Sequence, residues 1–419
     1  MRHTATKRRY TAFLSHLSSL ELLSAYTLKP LLDGKALAKA LATPPGIWMK
    51  EALDVVMAWQ LRHPDATDPA LAIEEVREKR RGELTSALVR HFLLLTIRPL
   101  FAQARPRNLT SAGRKMEGDI LPKKMIIGDV DESAPWKLSQ HSHVLDLLRW
   151  TVEALDVKLL EECWHLLVPP LLTLLDDWET RYKAIGAESL THILKLSPPG
   201  LLERTGLGDL FETALVACLN HLPSLTPEQD SVQLLEKVYP ALLALGEARW
   251  PRPSPSSTYP LPRLALLDSV LRKGVLHSYD HAKTSPLVVT LLLEQLAAIL
   301  REMGFHSIKH LPFVIPVLTQ VLTSGSNELI AARALQALMR SAWPRVPEWK
   351  GEILKGLVLS WICNESSHST DASALRTELR TTARMLQSVI ETAGIDWSVQ
   401  ILVEADERAH GLFAPSDVE

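Results

Sequence analysis

The segment from Pro169 to Leu196, PPLLTLLDDWETRYKAIGAESLTHILKL, restricts the fold of this chain more than any other segment. An apolar helical run ends at Asp176 and Asp177, and a second amphipathic run follows at once. Either aspartate can cap the second helix by accepting a hydrogen bond from a free backbone N–H, and Glu179 has the capping-box spacing from Asp176. Two antiparallel helices that meet at an acidic corner are typical of a HEAT unit. Such units stack into solenoids, which mostly hold other proteins.

Basic residues follow the acidic corner within one helical turn, which is also typical of a HEAT unit. We predict that folding depends on this corner through capping and packing. The residues concerned are Asp176, Asp177, Glu179, Arg181 and Lys183. Asp177→Ala is expected to lower the stability by about 1 kcal/mol through the loss of a cap. A larger loss would indicate a buried ion pair between Asp177 and Arg181.

The composition predicts an all-α protein with a packed core. Hydrophobic residues make up 46% of the chain and charged residues 22%, and apolar residues rarely alternate at strand spacing. The formal charge of −2 provides no overall attraction to nucleic acid or to anionic membranes. Three dispersed cysteines suit a reducing compartment, and no run approaches the roughly 20 apolar residues of a membrane span. We therefore expect a cytoplasmic and/or nuclear protein, with a mitochondrial presequence in the basic N-terminal segment as the alternative.

Proline, glycine and loss of helical periodicity divide the chain into parts. We predict a helical module over residues 1–102, a flexible linker or loop over 103–140, a HEAT-like α-solenoid over 141–406 and a disordered tail over 407–419. A proline-rich loop at residues 250–262 cannot stay helical, so it must project from the array or close over it. A second, more degenerate HEAT-like unit at residues 310–343 has Asn327 at its corner and Arg333 at the basic position.

The sequence offers little support for catalysis. It contains no glycine-rich phosphate-binding loop and no GxSxG nucleophile motif. His141 and His143 stand two residues apart, but no nearby Cys or second His pair completes a metal-binding set. Asp176 and Asp177 could form an acid–base pair, although adjacent residues at a helix end point in different directions and a capping role explains them better. We predict no catalytic, cofactor-binding or metal-binding residues, and no enzyme.

A tryptophan cluster near the C-terminus is a candidate for binding a protein partner. It consists of Trp343, Trp349 and Trp361, with Arg345 beside the first of them. Tryptophan and arginine are favoured anchors of protein interfaces. The alternative is that the three indole rings fill gaps between helices of the solenoid.

A charged run at Glu74–Glu83 alternates acidic and basic residues at helical spacing. The simplest interpretation is a solvated helix face. Its basic members Arg77, Lys79, Arg80 and Arg81 could instead contact phosphates, which makes them candidates for RNA contact.

The stretch from residue 141 to 403 resembles the Tel-two-interacting protein two family, whose members are the Tti-two subunits of the TTT co-chaperone complex. The unit PPLLTLLDDWETRYKAIGAESLTHIL carries the resemblance, and GLLERTGLGDLFETALVACLNHLPSLTPEQD, VYPALLALG and PRVPEWKGEILKGLVLSWICNE follow it in order. The resemblance implies an α-solenoid scaffold without catalytic activity that binds the Tti-one and Tel-two subunits. It further implies that this complex helps the ninety-kilodalton heat-shock chaperone to mature phosphatidylinositol-3-kinase-related kinases.

Residues 28–82 are similar to a different family, through LKPLLDGKALAKALATPPGIWMKEALDVVMAWQLRHPDAT. This segment resembles the C-terminal helical region of eukaryotic CCA-adding tRNA nucleotidyltransferases, which helps to hold the tRNA. The catalytic head of that family has no counterpart here, so we expect no nucleotide addition. The segment is a fusion remnant or the product of a mis-joined gene, a convergent or RNA-binding module, or a cap on the solenoid. The alternative function is therefore that of a tRNA- or RNA-binding protein.

Overall fold

The computed structural model describes residues 30–102 and 134–414 apart from 64–65, 67, 253–257 and 365–369, together with residues 11–13, 15–16 and 114. These residues form helices and turns and contain no strand, which confirms the prediction of an all-α fold. The chain divides into two compact units, Met1–His91 and Phe92–Glu419. The division falls before residue 102, where the sequence analysis placed the end of the N-terminal module.

The helices with described bounds in the first unit are α1 (Gly34–Ala40), α2 (Trp48–Arg62) and α3 (Ala70–His91). The side chain of Asp33 caps α1 by accepting a hydrogen bond from the Ala36 backbone N–H. Leu37, Val56 and Val76 supply one residue from each helix to a shared core in which they are almost fully buried. The buried face of α2, which includes Val56, therefore packs within this unit.

The second unit begins with a π-helical segment at Phe92–Ile97 and continues with many helices. Their bounds are α4 (Arg98–Phe101), α5 (Val144–Glu153), α6 (Val157–Asp176), α7 (Thr180–Leu196), α8 (Leu201–Thr205), α9 (Gly208–Cys218), α10 (Glu228–Arg249), α11 (Leu261–Ser269), α12 (His277–Ala282), α13 (Pro286–Met303), α14 (Leu311–Leu322), α15 (Glu328–Ala342), α16 (Lys350–Cys363), α17 (Thr370–Thr392), α18 (Gln400–Ala405) and α19 (His410–Phe413).

Helices of the second unit pack in two layers. One layer, called the stacked layer here, consists of α7, α10, α13, α15 and α17, each of which packs against the next. The other layer consists of α6, α9, α12, α14 and α16. Each of these helices packs against the helix of the stacked layer that follows it in the chain. Packing between neighbouring hairpins is how a helical repeat array buries its apolar faces.

Two segments expected to be irregular are partly ordered by packing. In the segment predicted as a linker, residues 134–141 form short helical turns with Trp136 only 2% exposed. In the predicted tail, Glu407–Ala409 and α19 are helical, and Leu412 is 1% exposed. Buried apolar side chains hold both segments against the array. Residues 103–113, 115–133 and 415–419, and the centre of the proline-rich loop at 253–257, lie outside the described residues.

Within the described residues, one helical stretch, Ala70–Phe101, meets the length and composition of a membrane-crossing helix. The sequence analysis expected none. A single stretch of this kind is weak support for a membrane span, because core helices satisfy the same criteria. Leu93, Ile97 and Phe101 from its second half are buried in the protein.

Close contact between α6 and α7 depends on Gly186. A Cβ atom at this position would lie 3.0 Å from Leu174 Cβ and 3.3 Å from the Leu175 backbone nitrogen. We expect Gly186→Ala to lower the free energy of unfolding by about 1–3 kcal/mol, because the hairpin must open to admit the methyl group. Urea denaturation followed by circular dichroism measures this change. Gly351→Ala, at a helical glycine with no atom near the added Cβ, is the control, and an equal loss in both variants would contradict the prediction.

Candidate interaction surfaces

The corner between α6 and α7 is held by a buried ion pair that crosses from the preceding segment. The Lys137 ammonium lies 2.7 Å from Asp177 Oδ2 and 3.5 Å from Glu179 Oε1. The side chains of Lys137 and Asp177 are 9% and 1% exposed. Arg181, which the sequence analysis named as the partner of Asp177 if the loss exceeded that of a cap, pairs with Glu179 at 2.7 Å, and its side chain is 67% exposed. Asp177 therefore has a buried cationic partner, but that partner is Lys137.

Aromatic rings enclose the same ammonium group. Its Nζ atom lies 5.1–5.4 Å from the ring centroids of Trp136, Trp178 and Tyr182. Trp136 stacks on Phe101 with a centroid distance of 5.1 Å and meets the edge of Tyr182 at 4.8 Å. Cation–π attraction and apolar burial thus add to the ion pair. The sequence analysis missed Trp136 and Lys137 because they follow a stretch without helical periodicity.

The capping prediction for Asp176 and Asp177 needs correction. Asp177 Oδ1 accepts a hydrogen bond from the Glu179 N–H at 2.9 Å, which shapes the turn before α7. The N-cap of α7 is Glu179, whose side chain makes no capping hydrogen bond. The cap at this corner lies on the other helix, where Lys183 Nζ donates to the Leu175 carbonyl at 2.7 Å near the end of α6. Burial raises the pKa of Asp176, and the Lys183 charge opposes this effect.

The structure does not bring the C-terminal tryptophans together as one exposed surface. Trp361 is 5% exposed, and its Nε1–H donates to the Arg408 carbonyl at 2.9 Å. Trp349 is half-buried, whereas Trp343 is 42% exposed. Arg345 is exposed and pairs with Glu348. Trp361 packs within the array, whereas Trp343 and Arg345 are exposed and Trp349 is partly accessible as a candidate for partner contact.

The basic candidates of α3 are mostly engaged within their own unit. Arg77 donates to the Ala40 carbonyl at 3.1 Å, and the Arg80 guanidinium lies 4.4 Å from the Trp48 ring centroid. Lys79 lies 3.9 Å from Glu83 in an exposed pair, and Arg81 is exposed. Arg77 and Arg80 therefore have a structural role, while Lys79 and Arg81 face solvent.

The structure also bears on possible metal-binding sites and cavities. Among the described residues, no three His, Cys, Asp or Glu side chains are grouped so that they could hold a metal ion. Two adjoining cavities of about 360 and 560 Å³ open along α7 and α10. Residues from several helices line these cavities.

Short segments of nucleotidyltransferases are similar to part of this chain. Nucleotidyltransferase lcsQ of Purpureocillium lilacinum is 61% identical over 72 residues, which are 17% of this chain and 12% of that protein. The tRNA nucleotidyltransferase cca2 of Schizosaccharomyces pombe is 36% identical over 58 residues, or 14% and 12% of the two chains. The mitochondrial CCA tRNA nucleotidyltransferase of Saccharomyces cerevisiae is 34% identical over 64 residues, or 15% and 12%. The chain thus spans only 12% of the length of these relatives.

The family comparison covers a much larger part of the chain. The sequence model of the Tti2 family matches residues 62–325, which are more than half of the protein. The match begins upstream of residue 141, where the sequence analysis placed the start of the resemblance, and ends before the C-terminal tryptophans. No solved structure matches the chain. The Tti2 family consists of non-enzymatic scaffold proteins with a role in TTT-type complexes, and this chain belongs to the Tti2 family.

Proposed function

We propose that this protein is a non-catalytic scaffold subunit of a TTT-type co-chaperone complex that supports the maturation and stability of phosphatidylinositol-3-kinase-related kinases. The family match over residues 62–325 carries this proposal. The two-layer packing of the second unit supports it, because a helical array offers extended surfaces to other proteins.

The proposed partners are the Tti-one and Tel-two subunits, with the kinases and the heat-shock chaperone as indirect partners. Binding occurs through surface recognition, in which apolar anchors provide affinity and charged rims set the register. The complex acts in the cytoplasm, the nucleus or both. No cofactor takes part, and the membrane has no role in the proposed function.

Affinity purification of the tagged full-length protein from its own cells tests this proposal. We expect mass spectrometry to identify the Tti-one and Tel-two subunits, enriched over a purification with the tag alone. Depletion of the protein should also lower the steady-state amounts of the kinases. Recovery of neither subunit from cells that contain both would contradict the proposal.

RNA binding by the first unit is the second candidate function, favoured by the 61% identity to a nucleotidyltransferase over 72 residues. If it is correct, the full-length protein binds tRNA in a salt-dependent manner, and the joint change Lys79→Gln/Arg81→Gln reduces the salt slope by about 2. Filter binding at several salt concentrations measures the slope. Glu78→Gln and Glu83→Gln, which neutralise acids on the same helix, are controls. An unchanged slope in the basic variant would contradict a role for these residues in RNA binding.

A further inference from the structure

Two exposed histidines lie one helical turn apart on α12. They are His277 and His281, four residues apart in the sequence. Side chains at this spacing lie on the same face of a helix. The centroids of the two imidazole rings are 4.5 Å apart, and the ring planes meet at 79°. Each ring can therefore direct one nitrogen atom towards a point that both share.

The separation of the rings fits two bonds to one metal ion. Bonds between zinc and histidine nitrogen are about 2.0–2.1 Å long, so two nitrogens on the same tetrahedral ion lie roughly 3.3 Å apart. The ring centroids lie behind these nitrogens, and a centroid separation of 4.5 Å leaves room for one ion between them. Flat stacking of the rings would leave no such room, and the angle of 79° excludes it.

Both imidazoles are available to a ligand. Among the described residues, no hydrogen bond or ion pair engages either side chain. His306 and His310 have the same spacing in the sequence but differ in this respect. His310 is fully buried, and its Nε2 atom lies 2.7 Å from Asp268 Oδ1. Of these two pairs, only the one on α12 has both rings exposed and uncommitted.

The turn that carries the pair is held firmly on its other side. Tyr279 and Ala282 of α12 are buried. The preceding segment, Val270–Leu276, is π-helical, and the Tyr239 hydroxyl donates to the Gly274 carbonyl within it at 2.6 Å. Segments of π-helix occur frequently at functional sites. A fixed backbone reduces the ordering that a ligand must impose on the two rings.

The surrounding charges indicate which class of cation fits. Asp280 pairs with Lys283 at 2.9 Å, and Lys273, one turn before His277, is exposed. These groups provide no net negative charge. Hard cations such as Ca²⁺ and Mg²⁺, which require several oxygen ligands, are therefore disfavoured. Imidazole nitrogen suits zinc, copper and nickel.

We propose that His277 and His281 form a two-residue binding site for a borderline divalent cation such as Zn²⁺. The two imidazoles leave the remaining coordination positions to water or to a ligand from another molecule. The site thus differs from a cluster of three protein ligands, which the described residues do not contain. The bound ion joins residues one turn apart, so it stabilises α12 where this helix follows the π-helical segment.

Equilibrium dialysis of the metal-free full-length protein against Zn²⁺ tests this proposal. We expect His277→Gln/His281→Gln to bind about one Zn²⁺ ion fewer per chain than the unchanged protein. His141→Gln/His143→Gln removes the same number of histidines from a pair whose ring centroids are 6.4 Å apart, and it should bind as the unchanged protein does. An equal loss in both variants, or a loss in neither, would overturn the assignment.

Thermal unfolding provides a second measurement. Zn²⁺ should raise the melting temperature of the unchanged protein and of His141→Gln/His143→Gln, and a chelator should reverse the rise. The rise should be smaller in His277→Gln/His281→Gln. Circular dichroism without metal checks that both variants are folded. A folded His277→Gln/His281→Gln variant with the full rise would show that the stabilising ion binds elsewhere.

Discussion

Lys137→Met is expected to lower the free energy of unfolding by about 3–5 kcal/mol. The change removes the cation that lies 2.7 Å from Asp177 and leaves a carboxylate that is only 1% exposed without its partner. Methionine retains much of the apolar stem, so the effect comes mainly from the uncompensated charge. Urea denaturation of the full-length protein, followed by tryptophan fluorescence and circular dichroism, measures the loss.

Three further variants distinguish the contribution of the buried pair from that of its surroundings. Arg181→Met removes an exposed partner of Glu179 at the same corner and is expected to cost about 0–1 kcal/mol. Lys137→Met/Asp177→Asn removes both charges and should be more stable than Lys137→Met alone, because no buried charge is left without a partner. Asp177→Ala should also cost well over the 1 kcal/mol of a lost cap. Equal losses of stability in Lys137→Met and Arg181→Met would show that the buried Lys137–Asp177 pair stabilises the protein no more than the exposed Arg181–Glu179 pair does.

Arg263→Met is expected to lower the free energy of unfolding by about 3 kcal/mol. Arg263 on α11 joins Glu247 of α10 to Glu302 of α13 and is almost completely buried. Tyr259 donates a hydrogen bond to the same Glu302 Oε1 at 2.8 Å. Loss of the guanidinium therefore leaves two carboxylates near each other and weakens the link between successive helices. Hydrogen exchange of α10 and α13 should increase along with the loss of global stability.

Arg252→Met is the matched control for this network. Arg252 also approaches Glu302, but at 3.5 Å and with a side chain that is 37% exposed. Its loss should cost about 0–1 kcal/mol, as for other exposed ion pairs. A comparable loss for Arg252→Met and Arg263→Met would refute the assignment of Arg263 as the link between the helices.

At the α6–α7 corner, some features could be predicted from the sequence and others could not. The helix break at Asp176 and Asp177 could be predicted because an acidic pair interrupts two apolar periodicities. The partner of Asp177 could not, because Lys137 belongs to a segment without periodicity that reaches the corner only in the folded chain. The sequence pattern likewise predicted a side-chain cap at the start of α7. In the structure, Lys183 instead caps the end of α6.

The tryptophans give a second example of the same limit. Trp343, Trp349 and Trp361 are close in sequence and equally plausible as anchors, yet their exposure differs because Trp361 is covered by residues around Arg408. Trp178, which was not singled out, is 67% exposed beside Lys137. Exposure of a large side chain depends on which distant segment covers it, and residue type alone does not specify that segment.

The sequence by itself determined the helical fold class, the apolar faces of the helices and the family, because helical periodicity and family motifs are properties of neighbouring residues. Only the tertiary structure decided that Lys137 pairs with Asp177 and that Arg263 links the carboxylates of Glu247 and Glu302. These features join residues far apart in the chain. Their strength depends on burial and on distances of a few ångströms, which exist only after the helices have packed.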